Sequence, residues 1–431
     1  MKNQIVRPTT QFSGCPHVPG DKSISHRALI FGALAEGRTV IDGLLESADV
    51  QSTAQCLQNM GITILKKNNI TEVEGRGIFG LRSPQKILDC GNSGTTLRLL
   101  MGLLSGQKNF SAELTGDQSL IQRPMKRVAE PLRLMGADLT LTEGNFAPLK
   151  IQGAKLQGID YELKIASAQI KTALILAAMT TQGPTRLSGQ IQSRDHTERM
   201  LKSMGVEIKM NSSEIEIAGG QKIQATKILV PGDPSTAAFW LAGACLIPTA
   251  EIEMQPISLN PSRLGFVRVL QRMGAEIEIE VTDDQVEPVG RLKLRHRDLR
   301  GPLNGVRIEA AEIPSLIDEL PLLAVLATQC EGITEVVGAQ ELRVKETDRI
   351  AAVASNLRRM GGEIETRPDG FTVQGPQKLK GATIQSFHDH RIAMAFSIAA
   401  LIADGDSLIE NADCVGVSYP DFFKILQSLI S

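Results

Sequence analysis

Two rhythms of apolar and polar residues replace one another along the chain. RPMKRVAEPLRLM (123–135) and TERMLKSM (197–204) place apolar residues at helical spacing, whereas VEIKM (206–210) and AEIEIEV (275–281) alternate as half-buried strands do. A short phrase recurs where one rhythm gives way to the other. It reads NMGITI at 59–64, LMGADL at 134–139, SMGVEI at 203–208, RMGAEI at 272–277 and RMGGEI at 359–364. Its glycines, at 61, 136, 205, 274 and 361, are 75, 69, 69 and 87 residues apart. A structural unit of that length is therefore repeated, and each is predicted to end in a helix, a glycine turn and paired strands.

A coarser duplication overlies this one. VPGDKS (18–23) returns as VPGDPS (230–235), each before an alanine-rich helical stretch, ALIFGALA and AAFWLAGA. RPMKRVAEPLRLMGADL is matched in pattern by KETDRIAAVASNLRRMGGEI at 345–364, and SAQIKTALILAAM (167–179) by HDHRIAMAFSIAAL (388–401). Three correspondences in one order imply two halves of three units each, joined just before Val230. The strands alternate instead of being continuously apolar. That predicts an α/β fold with sheets wet on one face, packed outside helices that are apolar on more than one side.

Composition narrows the function. At 431 residues the chain is too long for one ordinary core. Aromatic residues make up 3% and the net charge is -2, which leaves few stacking platforms and no field for a long polyanion. Nucleic-acid binding is thus not expected. Six cysteines, at 15, 56, 90, 245, 330 and 414, form no CxxC pair and are expected to be buried free thiols in a reducing compartment. The opening MKNQIVRPTTQ has no apolar run, and the apolar stretch from Phe239 to Ile247 is too short to span a bilayer. A cytoplasmic protein without membrane contact is expected.

Cations gather where loops enter helices. In PGDKSISHR, Gly20 permits a tight turn and Asp21 or Ser23 caps the next helix, so Lys22, Ser23 and Arg27 converge on one anion at the helix start. His26 in that stretch reads equally as a core hydrogen-bonding group or a catalytic one. DCGNSGTTLRLL (89–100) offers a loop of backbone N–H groups around Gly94, with Arg98 adding charge. By itself it reads as well as a plain helix start. In GDQSLIQRPMKR, Pro124 predicts the helix start and leaves Arg123 in the preceding loop. Ser167, Gln169 and Lys171 open another helix, with Lys171 expected to assist binding, and Ser193 and Arg194 follow. In the second half Asp318 and Glu319 sit in the apolar frame EIPSLIDELPLLA, where a carboxylate needs a partner or a task. LRVKETDR brings Lys345, Glu346 and Arg349 together, and HDHR brings His388, Asp389, His390 and Arg391. HDH reads either as metal ligands or, with no third ligand at sensible spacing, as capping and salt bridging. The inventory suits anionic substrates and proton transfer.

PGDKSISHR, GNSGTTLR, GDQSLIQRPM, SAQIKTALILAA, SRDHTE, IDELPLLA, LRVKETDR and HDHRIAMAF also stand in the order shown by the 5-enolpyruvylshikimate-3-phosphate synthase family, which essentially the whole chain resembles. The resemblance implies two inside-out domains, each of three βαβαββ units with buried helices and outer sheets. Residues 14–229 would form the domain that binds shikimate 3-phosphate. Residues 1–13 with 230–431 would form the other, which contributes to phosphoenolpyruvate binding and proton transfer. The implied reaction moves the enolpyruvyl group of phosphoenolpyruvate to the 5-hydroxyl of shikimate 3-phosphate through a tetrahedral intermediate. It needs no metal or organic cofactor and belongs to aromatic amino-acid biosynthesis. Carried over by position, Lys22, Ser23, Arg27, Ser167, Ala168, Gln169, Arg194, Asp318 and Lys345 resemble ligands of shikimate 3-phosphate. Lys22, Gly94, Arg123, Gln169, Arg349 and Arg391 resemble ligands of phosphoenolpyruvate. Asp318 resembles the base at the 5-hydroxyl and Glu346 the acid at C3, with Lys22 and Lys345 in the same proton network. Domain closure is expected to exclude water, and a monomer is expected because the site lies within one chain.

The chain departs from the common pattern at two positions, and the second departure, together with the SRDHTE and GDQSLIQRPM forms, resembles the branch often called class II. Ala168 replaces the second serine of the common SSQ element, removing one phosphate hydroxyl, and Val417 replaces a lysine found near many C-termini. Gly94 stands where alanine is one route to glyphosate tolerance, so tolerance by that route is not expected. The sister UDP-N-acetylglucosamine enolpyruvyl transferase usually carries a cysteine in the loop corresponding to 116–125, and this loop has none. A repeat-built scaffold without catalysis is disfavoured by unligated charge at buried helix starts.

Overall fold

The computed structural model describes residues 2–431, the side chain of Asp298 excepted. Each Met-Gly phrase closes a helix: Ala48–Asn59, Lys126–Leu134, His196–Ser203, Gly265–Met273 and Arg349–Arg359. The five glycines have φ from +79° to +113°, where a side chain would crowd the backbone. In all five the glycine N–H returns to the carbonyl three residues back and the next N–H to the carbonyl five back, at 2.8–3.1 Å. That double bond is a Schellman cap. The residue five back is always leucine (Leu57, Leu132, Leu201, Leu270 and Leu357), and it is buried together with the methionine before the glycine. The repeated phrase is thus a helix stop with an apolar plug on each side.

The chain forms two compact units, an inserted unit Gly20–Val230 and a flanking unit of Met1–Pro19 with Pro231–Ser431. The first crossing comes six residues later than the expected joint after residue 13. Ser13–Gly14 pairs in parallel with Glu251–Ser258, and the Asp233 N–H donates to Pro19 O at 3.0 Å, which ties residues 13–19 to the flanking unit. Each unit has its own apolar core.

Each unit carries three sheets. In the inserted unit Leu88–Asp89 runs parallel to Ser111–Thr115, followed by antiparallel Phe146–Gln152 and Asp138–Thr142. Asp160–Leu163, Pro184–Gly189, Glu214–Ala218 and Ile208–Met210 repeat that order. So do Arg307–Ile308, Gly332–Val336, Gly370–Gly375 and Glu365–Arg367 in the flanking unit. The chain closes each unit on itself. Ile223–Gln224 and Lys227–Leu229 return to Ala35–Asp42, and Gln4–Val6 joins Ser407–Glu410. Alternation places one face inward: Phe146–Gln152 buries Ala147, Leu149 and Ile151 and leaves Pro148, Lys150 and Gln152 exposed.

Helices fill the middle of each unit, as the pattern predicts. Lys22–Leu34, Gly94–Ser105 and Ala168–Ala178 are buried nearly all round in the inserted unit, and Pro234–Leu246, Leu320–Ala327 and His390–Ala400 in the flanking one. The duplicated PGD phrase performs one task twice. Asp21 Oδ1 accepts the Ile24 N–H and Asp233 Oδ1 the Ser235 N–H, each at 2.9 Å, capping the first helix of its unit. No helix among the described residues is long and apolar enough to cross a membrane. All six thiols are free, and Cys56, Cys90, Cys245 and Cys330 are buried; against expectation, Cys414 is only half-buried and Cys15 is exposed in the segment before the first crossing.

Candidate active site

In the inserted unit the Asp21 cap fixes the start of Lys22–Leu34 and with it three polar side chains. Lys22 Nζ lies 3.1 Å from Asp49 Oδ2. Ser23 Oγ receives Arg194 Nη1 at 3.3 Å, and Ser23 O receives Arg27 Nη1 at 2.9 Å. Arg27, one turn on and buried, also donates to Thr197 Oγ1 at 2.8 Å and Thr172 Oγ1 at 2.7 Å. The fold thus brings Arg194 onto Ser23 from 171 positions away and Thr197 onto Arg27 from 170. His26 faces the core. Its Nδ1 is 2.7 Å from Thr53 Oγ1, which meets Thr96 Oγ1 at 2.6 Å. Burial, then the charges of Lys22 and Arg27, push the His26 pKa well below its ordinary 6.5. This favours the hydrogen-bonded core reading over a general acid.

The glycine-rich loop is not the open anion nest that the sequence suggested. The Gly91 N–H is spent on Asp89 Oδ1, those of Ser93 and Gly94 on Cys90 O and Asn92 O, and that of Thr96 on Ser93 Oγ. What Gly94 provides is space. A Cβ there would stand 2.9 Å from Arg98 Nη1 and 3.4 Å from Arg123 Nη1. Arg98 Nη1 donates to Gln169 Oε1 at 2.6 Å, and Gln169 Nε2 to Thr95 Oγ1 at 3.0 Å. Arg123 Nη2 is held by Asn92 Oδ1 at 3.0 Å and Ser119 Oγ at 3.1 Å. The helix after Pro124 begins at Lys126, two residues later than expected, and the Met125 N–H just before it donates to Asn145 O at 2.9 Å. Ser167 caps Ala168–Ala178 only weakly, accepting from Ile170 N at 3.5 Å, which places Ser167, Ala168 and Gln169 at that helix start. Lys171 does not join this group. It is buried against Glu198 at 2.7 Å.

In the flanking unit Arg349 is the organising charge. It opens helix Arg349–Arg359 behind the Asp348 cap and is buried among three carboxylates. Nε reaches Asp389 Oδ2 at 2.8 Å, Nη2 reaches Glu346 Oε2 at 2.8 Å, and Nη1 reaches Asp318 Oδ1 at 3.2 Å. Lys345 Nζ approaches that same Asp318 oxygen at 3.4 Å. Burial alone would lower the Arg349 pKa, but the charges of Asp389, Glu346 and Asp318 outweigh it and raise it. Asp389 also caps His390–Ala400, accepting the Arg391 N–H at 2.8 Å. Capping and salt bridging is therefore what the HDH aspartate does. Arg391 Nη1 donates to Ser235 O at 2.9 Å, and its guanidinium lies over the Phe239 ring at 5.9 Å. Glu319 is buried nearby. Burial, then Asp318, push its carboxyl above the ordinary range against the pull of Arg391.

Sequence reasoning missed the partners. Asp49 lies outside every motif, and Asn92, Thr172 and Thr197 lie within motifs whose sequence does not show which distant cation each will hold. Asp389 stood within a motif as a cap, but its bond to Arg349 spans 40 positions.

A family model described as EPSP synthase (3-phosphoshikimate 1-carboxyvinyltransferase) matches residues 6–426. The chain is 49% identical over 426 residues to a 3-phosphoshikimate 1-carboxyvinyltransferase of Herpetosiphon aurantiacus, with 98% of each chain covered. It is 44% identical to the protein of that name from Bacillus thuringiensis, with 100% of each covered. Among solved structures it is similar to an EPSP synthase from Acinetobacter baumannii, with a TM-score of 0.86, 39% identity, and 99% of this chain and 98% of that one covered.

Proposed function

Because this chain belongs to the EPSP synthase family, as the family match over residues 6–426 and the full-length relatives establish, we propose that the two charged clusters are its working residues. The protein transfers the enolpyruvyl group of phosphoenolpyruvate to shikimate 3-phosphate, a step of aromatic amino-acid biosynthesis. Ser23, Arg27, Ser167, Ala168, Gln169 and Arg194, with Lys22, bind shikimate 3-phosphate, and Asp318 and Lys345 face its reacting hydroxyl. Lys22, Arg123, Gln169, Arg349 and Arg391 bind phosphoenolpyruvate, and Gly94 leaves room for it. Asp318 takes the proton of the 5-hydroxyl as its oxygen attacks C2, and Glu346 delivers a proton to C3. Glu346, left as a carboxylate, then recovers a proton from C3 as the tetrahedral intermediate collapses, which expels phosphate and restores the C2–C3 double bond.

The observation that supports this most is the grouping of Asp318, Glu346 and Lys345 around buried Arg349 at 2.8–3.4 Å. Two carboxylates and two cations in one cluster are what a hydroxyl deprotonation and a carbon protonation beside an anion require. Arg349 is already shared by three carboxylates, so an incoming anion must share it too. Residues 20–230 supply the acceptor's phosphate ligands and Lys22 of the proton network, and the rest of the chain supplies Lys345 and the two proton-transferring carboxylates, Asp318 and Glu346. The working protein is a cytoplasmic monomer that takes no nucleic acid.

The direct test incubates the purified protein with shikimate 3-phosphate and phosphoenolpyruvate and follows phosphate release. Release that depends on both substrates is expected. Folded protein that releases none, or that accepts UDP-N-acetylglucosamine instead, overturns the reading.

A further inference from the structure

Lys171 and Glu198 form an ion pair sealed inside the inserted unit, with side-chain exposures of 2% and 1% and Nζ–Oε1 at 2.7 Å. Neither oxygen of Glu198 is aligned to accept a hydrogen bond from a described residue, so Glu198 acts on Lys171 through charge. The ammonium donors go elsewhere, to Ile191 O at 3.1 Å and Ser193 O at 3.4 Å. Both carbonyls belong to the loop that leads into helix His196–Ser203 and carries Arg194. Arg194 in turn reaches Ser23 Oγ at 3.3 Å. The Ser193 hydroxyl on that loop is buried with no hydrogen-bond partner among the described residues.

Such a pair needs an explanation other than stability. Removing an ammonium and a carboxylate from water costs about as much as their attraction returns, and apolar residues of similar volume usually serve a core as well or better. The neighbouring residues show what is being fixed. Thr172 and Thr197, each one position from the pair, meet at 2.6 Å and together hold Arg27. Two cross-links one residue apart therefore join the same two helices. One seats Arg27 and the other seats the Arg194 loop.

We infer that Lys171 and Glu198 are positioning residues for the acceptor's phosphate: Lys171 grips the carbonyls of Ile191 and Ser193 so that Arg194 and the Ser193 hydroxyl face the anion, and Glu198 supplies the buried countercharge. This rests on the assignment of Ser23 and Arg194 to that phosphate. The pair touches no substrate itself and acts only through the loop.

The test is a double variant, Lys171→Met with Glu198→Met, which removes both charges and keeps the volume. It should melt near the wild type. Its dissociation constant for shikimate 3-phosphate, titrated without phosphoenolpyruvate, should rise about 10- to 100-fold, the loss expected of charged hydrogen bonds that no longer fix the loop. The KM for phosphoenolpyruvate should change much less. If this variant does not fold, Lys171→Gln with Glu198→Gln keeps polarity and shape and carries the same expectation. Wild-type acceptor affinity in a folded variant, or an equal loss for both substrates, overturns the inference. Arg194→Ala separates the two layers of the argument. If it leaves acceptor binding intact, the phosphate assignment fails; if it weakens binding and the double variant does not, the positioning role fails.

Discussion

Asp318 Oδ1 lies between Lys345 Nζ and Arg349 Nη1, while Glu346 meets Arg349 from the other side. Asp318→Asn and Glu346→Gln keep shape and remove proton transfer, so each should lower kcat by about 10²–10⁴. Asp389 still holds Arg349, so the melting temperature and the binary affinity for shikimate 3-phosphate should move little. Near-full turnover in both variants would refute the assignment. His26 yields a prediction about stability. Its folded pKa lies below the unfolded 6.5, because burial and two nearby cations oppose the proton. The unfolded chain binds the proton more tightly, so this contribution is whole above pH 6.5 and is lost as pH falls below it, by up to about 1.4 kcal/mol per pH unit until the folded imidazole titrates. Denaturant unfolding at pH 7 and pH 5.5 should show a smaller drop for His26→Gln than for the wild type, and equal drops would remove His26 from the account. Much of the cluster was legible because Lys345, Glu346 and Arg349 fall within five residues and share one helix start. The bonds of Arg27 to Thr172 and Thr197 were not, since they cross 145 and 170 positions and only the packed fold creates them.

At the scale of elements, the five Schellman caps were legible because each needs both a glycine at positive φ and apolar neighbours, and that combination leaves a phrase in the sequence. Parallel edge strands of two residues, such as Leu88–Asp89, leave none. Nor does the sequence reveal which loop N–H groups are already spent, which is why the Gly94 loop read as an open nest. Two glycines in helical regions separate strain from crowding. At Gly274 a Cβ meets nothing within 4 Å but φ is +113°, so Gly274→Ala should cost only the left-handed penalty, about 1–2 kcal/mol. At Gly102 a Cβ would stand 2.0 Å from Ala173 O, where Gly94–Ser105 crosses Ala168–Ala178. Gly102→Ala must force these buried helices away from each other, and overpacking of that kind costs about 1–3 kcal/mol or more. It should also weaken binding, because the same helices carry Arg98 and Gln169, joined at 2.6 Å. Chemical denaturation together with substrate titration distinguishes the two. Gly274→Ala should lose stability alone, and Gly102→Ala both.

At the scale of the whole chain, the two halves are unequal in sequence but each closes on itself. The inserted unit begins and ends at one place: Val230 N donates to Asp42 O at 2.8 Å, and a Cβ on Gly20 would lie 3.0 Å from Val230 Cγ1. Its apolar core, among the described residues, runs from Ile24 to Val230. A segment with adjoining ends and a self-contained core meets the requirements for independent folding. Residues 20–230 expressed alone should therefore melt cooperatively. They hold Ser23, Arg27, Ser167, Gln169 and Arg194, so the fragment should bind shikimate 3-phosphate. They lack Asp318, Glu346, Arg349 and Arg391, so it should release no phosphate from phosphoenolpyruvate at any concentration. Calorimetry and titration of the fragment check both statements. An unfolded fragment would mean that the inserted unit depends on the rest of the chain. A folded fragment that ignores shikimate 3-phosphate would mean that the acceptor is gripped mainly by the flanking unit, and the division of labour between the units would have to be reversed.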